Sequence, residues 1–340
     1  MDLSQNVITE TDVANPPGAG GQIAEVKGYV KLGAQHAEDQ KGTAVQSSQA
    51  GSVSVVGNNS QGQALQSIGG GGGSNRTQVA LADRNQRLDL VMELGGKDVE
   101  GSTGGSVTAD RIGAIQAEGR ASQGGVTQSI GGGGGFALVD VTTATPDSAQ
   151  SRVRPTANTV ASQASMEFVL GSEGGEDNDG GAVNYDGEGS VSTLGDYSPG
   201  LVIQSIGAGG GEVIAQGLTG VLVTMGGTDG AEGDGGKVEA TNGTVSTDGI
   251  RSHGLVVQSI GGGGGVVITD EDADVTLEKS GSRSGSGGEV DVASGSVLTG
   301  GSDSIGLLAQ SIGGGGGVVN TGFVGSSFGD GSASDVAVIV

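Results

Sequence analysis

The sequence predicts an all-β fold: a parallel β-helix or related β-solenoid built from five glycine-rich repeats. A 23-residue block ending in Gln-Ser-Ile and a glycine run occurs five times without insertion or deletion, which is typical of stacked repeat architectures. Turn residues arrive every 7 to 12 residues, and no helical periodicity is sustained. The blocks span residues 51–73, 113–135, 189–211, 243–265 and 295–317.

The composition supports thin strand layers rather than a large globular core. The chain has 340 residues with 74 glycines, no tryptophan, three tyrosines and four phenylalanines. The glycines lack a G-X-Y period, which excludes collagen. Val, Ile and Leu recur at fixed positions of the block, which argues against disorder, and small β-branched residues suit strands.

The net charge of −24 limits the kinds of partner that the chain can bind. This charge disfavours nucleic acids and anionic membrane surfaces as partners, because binding to either requires clustered Lys and Arg. The chain has no cysteine, so disulfides and thiolate metal sites are impossible. No run of 18 apolar residues is present, so we expect no membrane insertion by this segment. The first residues lack the basic and apolar regions of a signal peptide.

In chain order, residues 1–17 are a polar lead-in and residues 18–340 form a single β-solenoid array. The array starts and stops within repeat-like sequence, so we expect a fragment of a longer chain. Strands are predicted around Val45, Val107, Val183, Val238 and Val290, and in the segments 166–170, 221–225 and 275–277.

The spacing of the repeats leaves the coil geometry open. Successive block glutamines are 62, 76, 54 and 52 residues apart. We expect each 52-residue unit to form about two coils, with the number of strands per coil undetermined. The extra length of the 76-residue unit places either an additional coil or a protruding arm within residues 137–170, and its polar middle favours the arm.

Two residues of the block recur as candidates for a structural ladder. The block glutamine follows an apolar residue two positions earlier, so both share one strand face. We predict that these glutamines lie inside the solenoid, bonded to backbone carbonyls near the glycine run; an exposed binding ladder is the alternative. The serine six positions earlier stands in a turn context, with a catalytic role as the alternative. The glutamines are Gln66, Gln128, Gln204, Gln258 and Gln310, and the serines are Ser60, Ser122, Ser198, Ser252 and Ser304.

The glycine runs need a physical reason, because each glycine costs about 0.5–1 kcal/mol of chain entropy relative to alanine. A flexible linker would not keep one position and length in every copy. We therefore predict ordered glycines with positive φ, placed where a neighbouring coil approaches too closely for a Cβ. Ala208 replaces one glycine of the third run.

Metal and catalytic sites are weakly indicated. Acidic loops could ligate Ca²⁺ through Glu176, Asp177, Asp179, Asp229 and Asp234. They lack the nonapeptide pattern of Ca²⁺-binding β-rolls, so solvated loops are the preferred interpretation. His253 follows Ser252, but no other block has a histidine there, and no catalytic motif is present. We predict no enzyme activity and no obligatory cofactor.

The block at 243–265, G-x-V-x-T-x-G-x-x-S-x-G-L-x-x-Q-S-I-G-G-G-G-G, resembles the passenger regions of large bacterial autotransporters. The resemblance covers most of residues 18–320. It implies a β-helical passenger on the cell surface of a Gram-negative bacterium, exported through a C-terminal β-barrel translocator that lies outside this chain. Such passengers are mostly adhesins or surface proteins.

We therefore expect an extracellular structural or adhesive stalk whose partners are a host or neighbouring cell surface, or other copies of itself. Binding would lie on variable loops such as 140–165. One alternative is a self-assembling extracellular filament subunit with open solenoid ends. Another is a carbohydrate-active β-helix enzyme with paired carboxylates in a groove.

Overall fold

A computed structural model describes residues 6–8, 25–32, 39–81, 87–95, 100–143, 163–171, 174–218, 220–228, 232–270, 273–279, 285–325 and 331–340. Every element in these ranges is a β-strand, and strands of successive coils stack in parallel. The predicted all-β solenoid is confirmed.

Five sheets, A to E, run along the solenoid, and their strands are numbered in chain order. Sheet A contains β1 (Asn6–Ile8), β2 (Glu25–Leu32), β7 (Arg87–Leu94), β12 (Gln163–Leu170), β17 (Gly220–Thr228) and β22 (Ala273–Lys279). Sheet B contains β3 (Val45–Ala50), β8 (Val107–Ile112), β13 (Val183–Gly187), β18 (Val238–Asn242), β23 (Val290–Ser294) and β28 (Val336–Ile339). Sheet C contains β4 (Val53–Val56), β9 (Ile115–Glu118), β14 (Val191–Leu194), β19 (Val245–Asp248) and β24 (Val297–Thr299). Sheet D contains β5 (Gln61–Ile68), β10 (Gln123–Ile130), β15 (Leu201–Ile206), β20 (Leu255–Ile260) and β25 (Leu307–Ile312). Sheet E contains β6 (Gly72–Leu81), β11 (Gly134–Thr143), β16 (Gly210–Gln216), β21 (Gly264–Thr269), β26 (Gly316–Val319) and β27 (Gly322–Gly325).

One repeat forms one coil, and the chain passes through sheets B, C, D, E and A in that order. Coils one to four are β3–β7, β8–β12, β13–β17 and β18–β22, and coil five begins at β23. Gln204 lies directly beside Gln128 on one side and Gln258 on the other. The expectation of two coils per 52-residue unit was therefore wrong, because the strands of sheets B to D are short and joined by tight turns.

The sheets stack in layers, with A on E, E on D, and D on B and C. Val267 of sheet E packs in a cluster with sheet A, whereas Val266 and Ile268 pack in another with Val256 of sheet D. Leu255 and Val257 face sheets B and C. Sheets D and E are thus buried on both faces, so their strands are continuous apolar runs rather than alternating patterns.

Within the described ranges, two antiparallel strand pairs interrupt the parallel stacking. β1, inside the predicted lead-in, pairs with β2. At the other end, β27 folds back on β26 as a hairpin. In the earlier coils the chain continues from sheet E into sheet A. In coil five it continues from β26 into β27 and stays in sheet E.

Length variation is concentrated in the connection from sheet E to sheet A. Residues 217–219 suffice in coil three, whereas residues 144–162 separate β11 from β12 in coil two. Both β11 and β12 occupy the usual places in their sheets. The extra length of the 76-residue unit thus falls within 144–162, so the choice between an arm and an extra coil lies outside the described residues.

Candidate functional site

The repeated block builds a junction where three backbone segments meet. Strand D ends in Gln-Ser-Ile, the glycine run reverses the chain into strand E, and the loop from sheet A to sheet B crosses this turn. In coil three the amide of Ala208 donates to the carbonyl of Asn178 in that loop, at 2.8 Å. In coil two Gly132 donates likewise to Ser102, at 2.9 Å. Each coil repeats this junction, so we take it as the candidate site.

The block glutamines form one continuous amide ladder. Each Nε2 donates to the Oε1 of the next glutamine along the chain, and the four distances are 2.8, 2.7, 2.7 and 2.8 Å from Gln66 to Gln310. Gln128, Gln204 and Gln258 are completely buried, and the two end members are half-buried. The partners differ from our expectation: the amides bond to one another rather than to backbone carbonyls.

The serines six positions earlier form a second ladder along the turn between sheets C and D. The amide of Ser198 donates to Ser252 Oγ at 3.0 Å, and Ser198 Oγ donates to the carbonyl of Gly119 at 3.0 Å. Ser122 and Ser252 make the equivalent pairs of bonds. Each hydroxyl thus satisfies an amide and a carbonyl of the preceding coil, while the serine amide donates to the hydroxyl of the following coil, which fits the turn role predicted for these serines.

A third ladder, from the serine of Gln-Ser-Ile itself, was missed in the sequence analysis. Ser205 Oγ donates to the carbonyl of Gly181 at 2.8 Å and accepts from the amide of Gly236 at 2.8 Å. Ser129 and Ser259 repeat this arrangement one coil away. The signal was the Gly-Gly pair before β8, β13, β18 and β23 of sheet B. A Cβ on the first glycine of the pair, Gly180, would lie 2.5 Å from Ser205 Oγ.

The glycine run is ordered and closely packed, as predicted. In coil four φ is +75°, +91°, +138° and +141° from Gly262 to Gly265. A Cβ on Gly264 would lie 1.9 Å from the carbonyl oxygen of Gly316 in the next coil. Ala208 keeps the local conformation of the glycine it replaces. Its φ is +60°, in the left-handed region that residues other than glycine rarely adopt.

A column of non-glycine residues with positive φ lies seven positions before each glutamine. These residues are Asn59, Ala121, Tyr197, Arg251 and Asp303, with φ between 53° and 61°. Their side chains differ in every coil, so no residue type revealed the conformation in advance. The turn between sheets C and D is therefore set by backbone bonds and the serine ladder.

The acidic loop residues act as caps between coils in the described part of the chain. Asp179 Oδ1 accepts from the amide of Asp234 at 2.7 Å, and Asp234 Oδ1 accepts from Ser286 at 2.6 Å. Asp177 adopts a φ of +59°, and the carbonyl of Glu176 accepts from Gly101. Asp229 lies outside the described residues. Across the described ranges, no group of three or more His, Asp or Glu side chains is arranged to hold a metal ion.

Ser252 and His253 point to separate partners. Ser252 Oγ donates to the carbonyl of Gly195 at 2.9 Å, and His253 Nδ1 accepts from the amide of Ile305 at 3.0 Å. Burial lowers the pKa of His253 to about 4. The imidazole is thus a neutral group packed between coils.

Glu212 is a buried carboxyl that the sequence analysis did not single out. It is completely buried in sheet E, in the column occupied by Phe136 in coil two and Val266 in coil four. Burial raises its pKa to about 7, opposed by a hydrogen bond from Gln123 and the charge of Arg76. An acid in the first position after the glycine run was the available signal.

Comparison with protein-family models, curated proteins and solved structures finds no match.

Within the described ranges, no helix combines the length and apolar character needed to cross a bilayer.

Proposed function

We propose that this chain is a section of an extracellular stalk, exported as part of an autotransporter passenger on a Gram-negative cell surface. The observation that carries the proposal is the uninterrupted glutamine ladder from Gln66 to Gln310. A ladder of this kind ties successive coils into one stiff body. The rise is about 4.8 Å per coil, so length comes from stacking many coils.

The variable connections between sheets E and A are the proposed contact surface. They alter length between coils while the block from β13 to β16 and its equivalents keeps its ladders. Loops that vary on a rigid scaffold are where binding residues concentrate. Partners are a host or neighbouring cell surface.

The test is surface labelling of intact producing cells with antibodies raised against the purified chain. We expect labelling without permeabilisation and its loss after brief external protease treatment. Labelling that requires permeabilised cells would contradict the proposal. Negative-stain electron microscopy of the purified chain at rising concentration distinguishes the filament alternative, since concentration-dependent fibres would replace the stalk with a self-assembling subunit.

A further inference from the structure

A chain of polar side chains crosses the apolar interface between sheets D and E. The Arg76 guanidinium donates to Gln61 Oε1. Gln61 Nε2 donates to Gln123 Oε1 at 2.9 Å, and Gln123 Nε2 donates to Glu212 Oε1. Every donor points toward Glu212, so the four side chains link coils one, two and three in one direction.

The surroundings of Glu212 are otherwise apolar. Within sheet E, Phe136 and Val266 flank it in register, and both belong to the cluster that includes Val202 of the facing sheet D. Glu212 Oε2 is buried and has no hydrogen-bond partner. Arg76 is the charged group that acts on the carboxyl, and its guanidinium lies 5.0 Å from the centre of the Phe136 ring.

Two opposing effects meet at this carboxyl. Removing a carboxylate from water favours the neutral acid strongly when few donors reach it. A series of aligned donors starting at a guanidinium favours the anion, because hydrogen bonds in a chain polarise one another. The balance leaves a buried group that can change charge within the interface between two packed sheets.

We propose that the chain from Arg76 through Gln61 and Gln123 to Glu212 is a proton-responsive link between the first three coils. It holds coil three tightly when Glu212 is protonated and loosens it when Glu212 is ionised. This is a regulatory property of the fold and does not depend on where the stalk is displayed.

The direction of the effect follows from the raised pKa. The pKa of Glu212 rises from 4.5 to about 7 on folding. Its stabilising contribution is therefore complete below pH 4.5 and is lost as the pH rises through 7. The full difference corresponds to a factor of about 300 in the opening equilibrium.

The test is amide hydrogen exchange of the purified chain at pH 5 and pH 8, corrected for the intrinsic rates. In the wild-type chain we expect protection in β15 and β16 to fall by roughly ten- to a few hundred-fold at pH 8. Glu212→Gln keeps the shape and removes the charge, so its protection should not fall at pH 8. Both chains also carry His253→Gln, because that imidazole changes stability in the opposite direction between these two pH values. Glu118→Gln on the exposed face of β9 is the matched control and should behave as wild type.

A second measurement separates this link from a purely structural role. Carbon NMR of the Glu212 carboxyl should show a midpoint near 7, and Arg76→Gln should move it higher, because the guanidinium favours the anion. Glu212→Val, which places the coil-four residue in coil three, covers the case in which the glutamine variant folds poorly. A midpoint near 4.5, or equal loss of protection in wild type and Glu212→Gln, overturns the proposal.

Discussion

Gly264 shows why a glycine run is kept in each coil. Its φ of +138° and the carbonyl of Gly316 at 1.9 Å from an added Cβ leave no room for a side chain. We expect Gly264→Ala to destabilise the chain by about 3 kcal/mol or more. Urea denaturation followed by circular dichroism measures the change.

Gly262→Ala is the matched control for that substitution. Gly262 has a φ of +75°, a left-handed conformation that Ala208 adopts at the same place in coil three. A Cβ on Gly262 would lie 2.9 Å from the amide nitrogen of Gly315, a much milder approach than the one at Gly264. The expected loss is therefore about 1–2 kcal/mol. Equal losses from the two variants would show that conformational preference, and not the approach of the next coil, explains the run.

Gln204 lies at the middle of the amide ladder, so its removal affects two neighbours. Gln204→Ala leaves Gln128 Nε2 without its acceptor and Gln258 Oε1 without its donor. Unpaired buried polar atoms and the cavity together are expected to cost about 3–4 kcal/mol. Gln310→Ala, at the half-buried end, should cost about 1 kcal/mol. Similar losses from both variants in thermal unfolding would contradict a cooperative buried ladder.

His253 gives stability a pH dependence opposite to that of Glu212. Its pKa falls from 6.5 to about 4 on folding because the imidazole is buried. The contribution is present above pH 6.5 and is lost as the pH falls through 4, up to about 3 kcal/mol. In His253→Gln, which carries the residue found at Gln123 in coil two, unfolding free energies should fall less between pH 6.5 and 4. An unchanged slope would refute this assignment.

For single residues, the features that local rules govern were predictable. Period-two alternation placed the block glutamines on an apolar face, and the repeated glycine run predicted positive φ. The hydrogen-bond partners were not predictable, because the Gln128–Gln204 contact exists only if one repeat forms one coil. The burial of Glu212 was not predicted, because the residues at the same position in other coils, Ser74, Phe136 and Val266, share no property.

Among the elements, the loop from sheet A to sheet B depends on the serine of Gln-Ser-Ile. Ser205→Ala removes the acceptor of the Gly236 amide and the donor to Gly181. We expect a loss of about 2–3 kcal/mol and faster hydrogen exchange at Gly236. Ser190→Ala, on an exposed turn, is the control and should change stability by less than about 0.5 kcal/mol. Slow exchange at Gly236 in Ser205→Ala would mean that this hydroxyl does not hold the loop.

Strand positions were predictable because the first five strands of sheet B each start at an inward-facing valine, such as Val183 or Val238. The number of coils was not. Short strands joined by turns of two to seven residues look like frequent reversals of the chain, and spacing alone does not say which strands pair. The layered arrangement also stayed hidden, because an apolar run such as 255–260 fits any doubly buried strand.

For the whole molecule, tolerance to insertion should follow the position of the variable connections. Ten extra Gly and Ser residues placed between β16 and β17 lengthen a connection that already varies in coil two, so we expect loss of no more than about 1 kcal/mol. The same insert within 207–211 separates the three segments of the junction and should prevent cooperative unfolding. Circular dichroism melts of both variants measure this. Comparable disruption by the two inserts would contradict the prediction that the connection from sheet E to sheet A tolerates added length and the repeated block does not.

The glutamine amides all point the same way along the axis. Each coil therefore offers the same donor on one side and the same acceptor on the other, whatever its outer side chains are. A duplicated 52-residue unit would fit between any two existing coils without a new contact having to evolve. Lineages could thus lengthen or shorten the rod by copying or deleting whole units. Copying only part of a unit would add an incomplete coil, whose strands would not align with those of its neighbours.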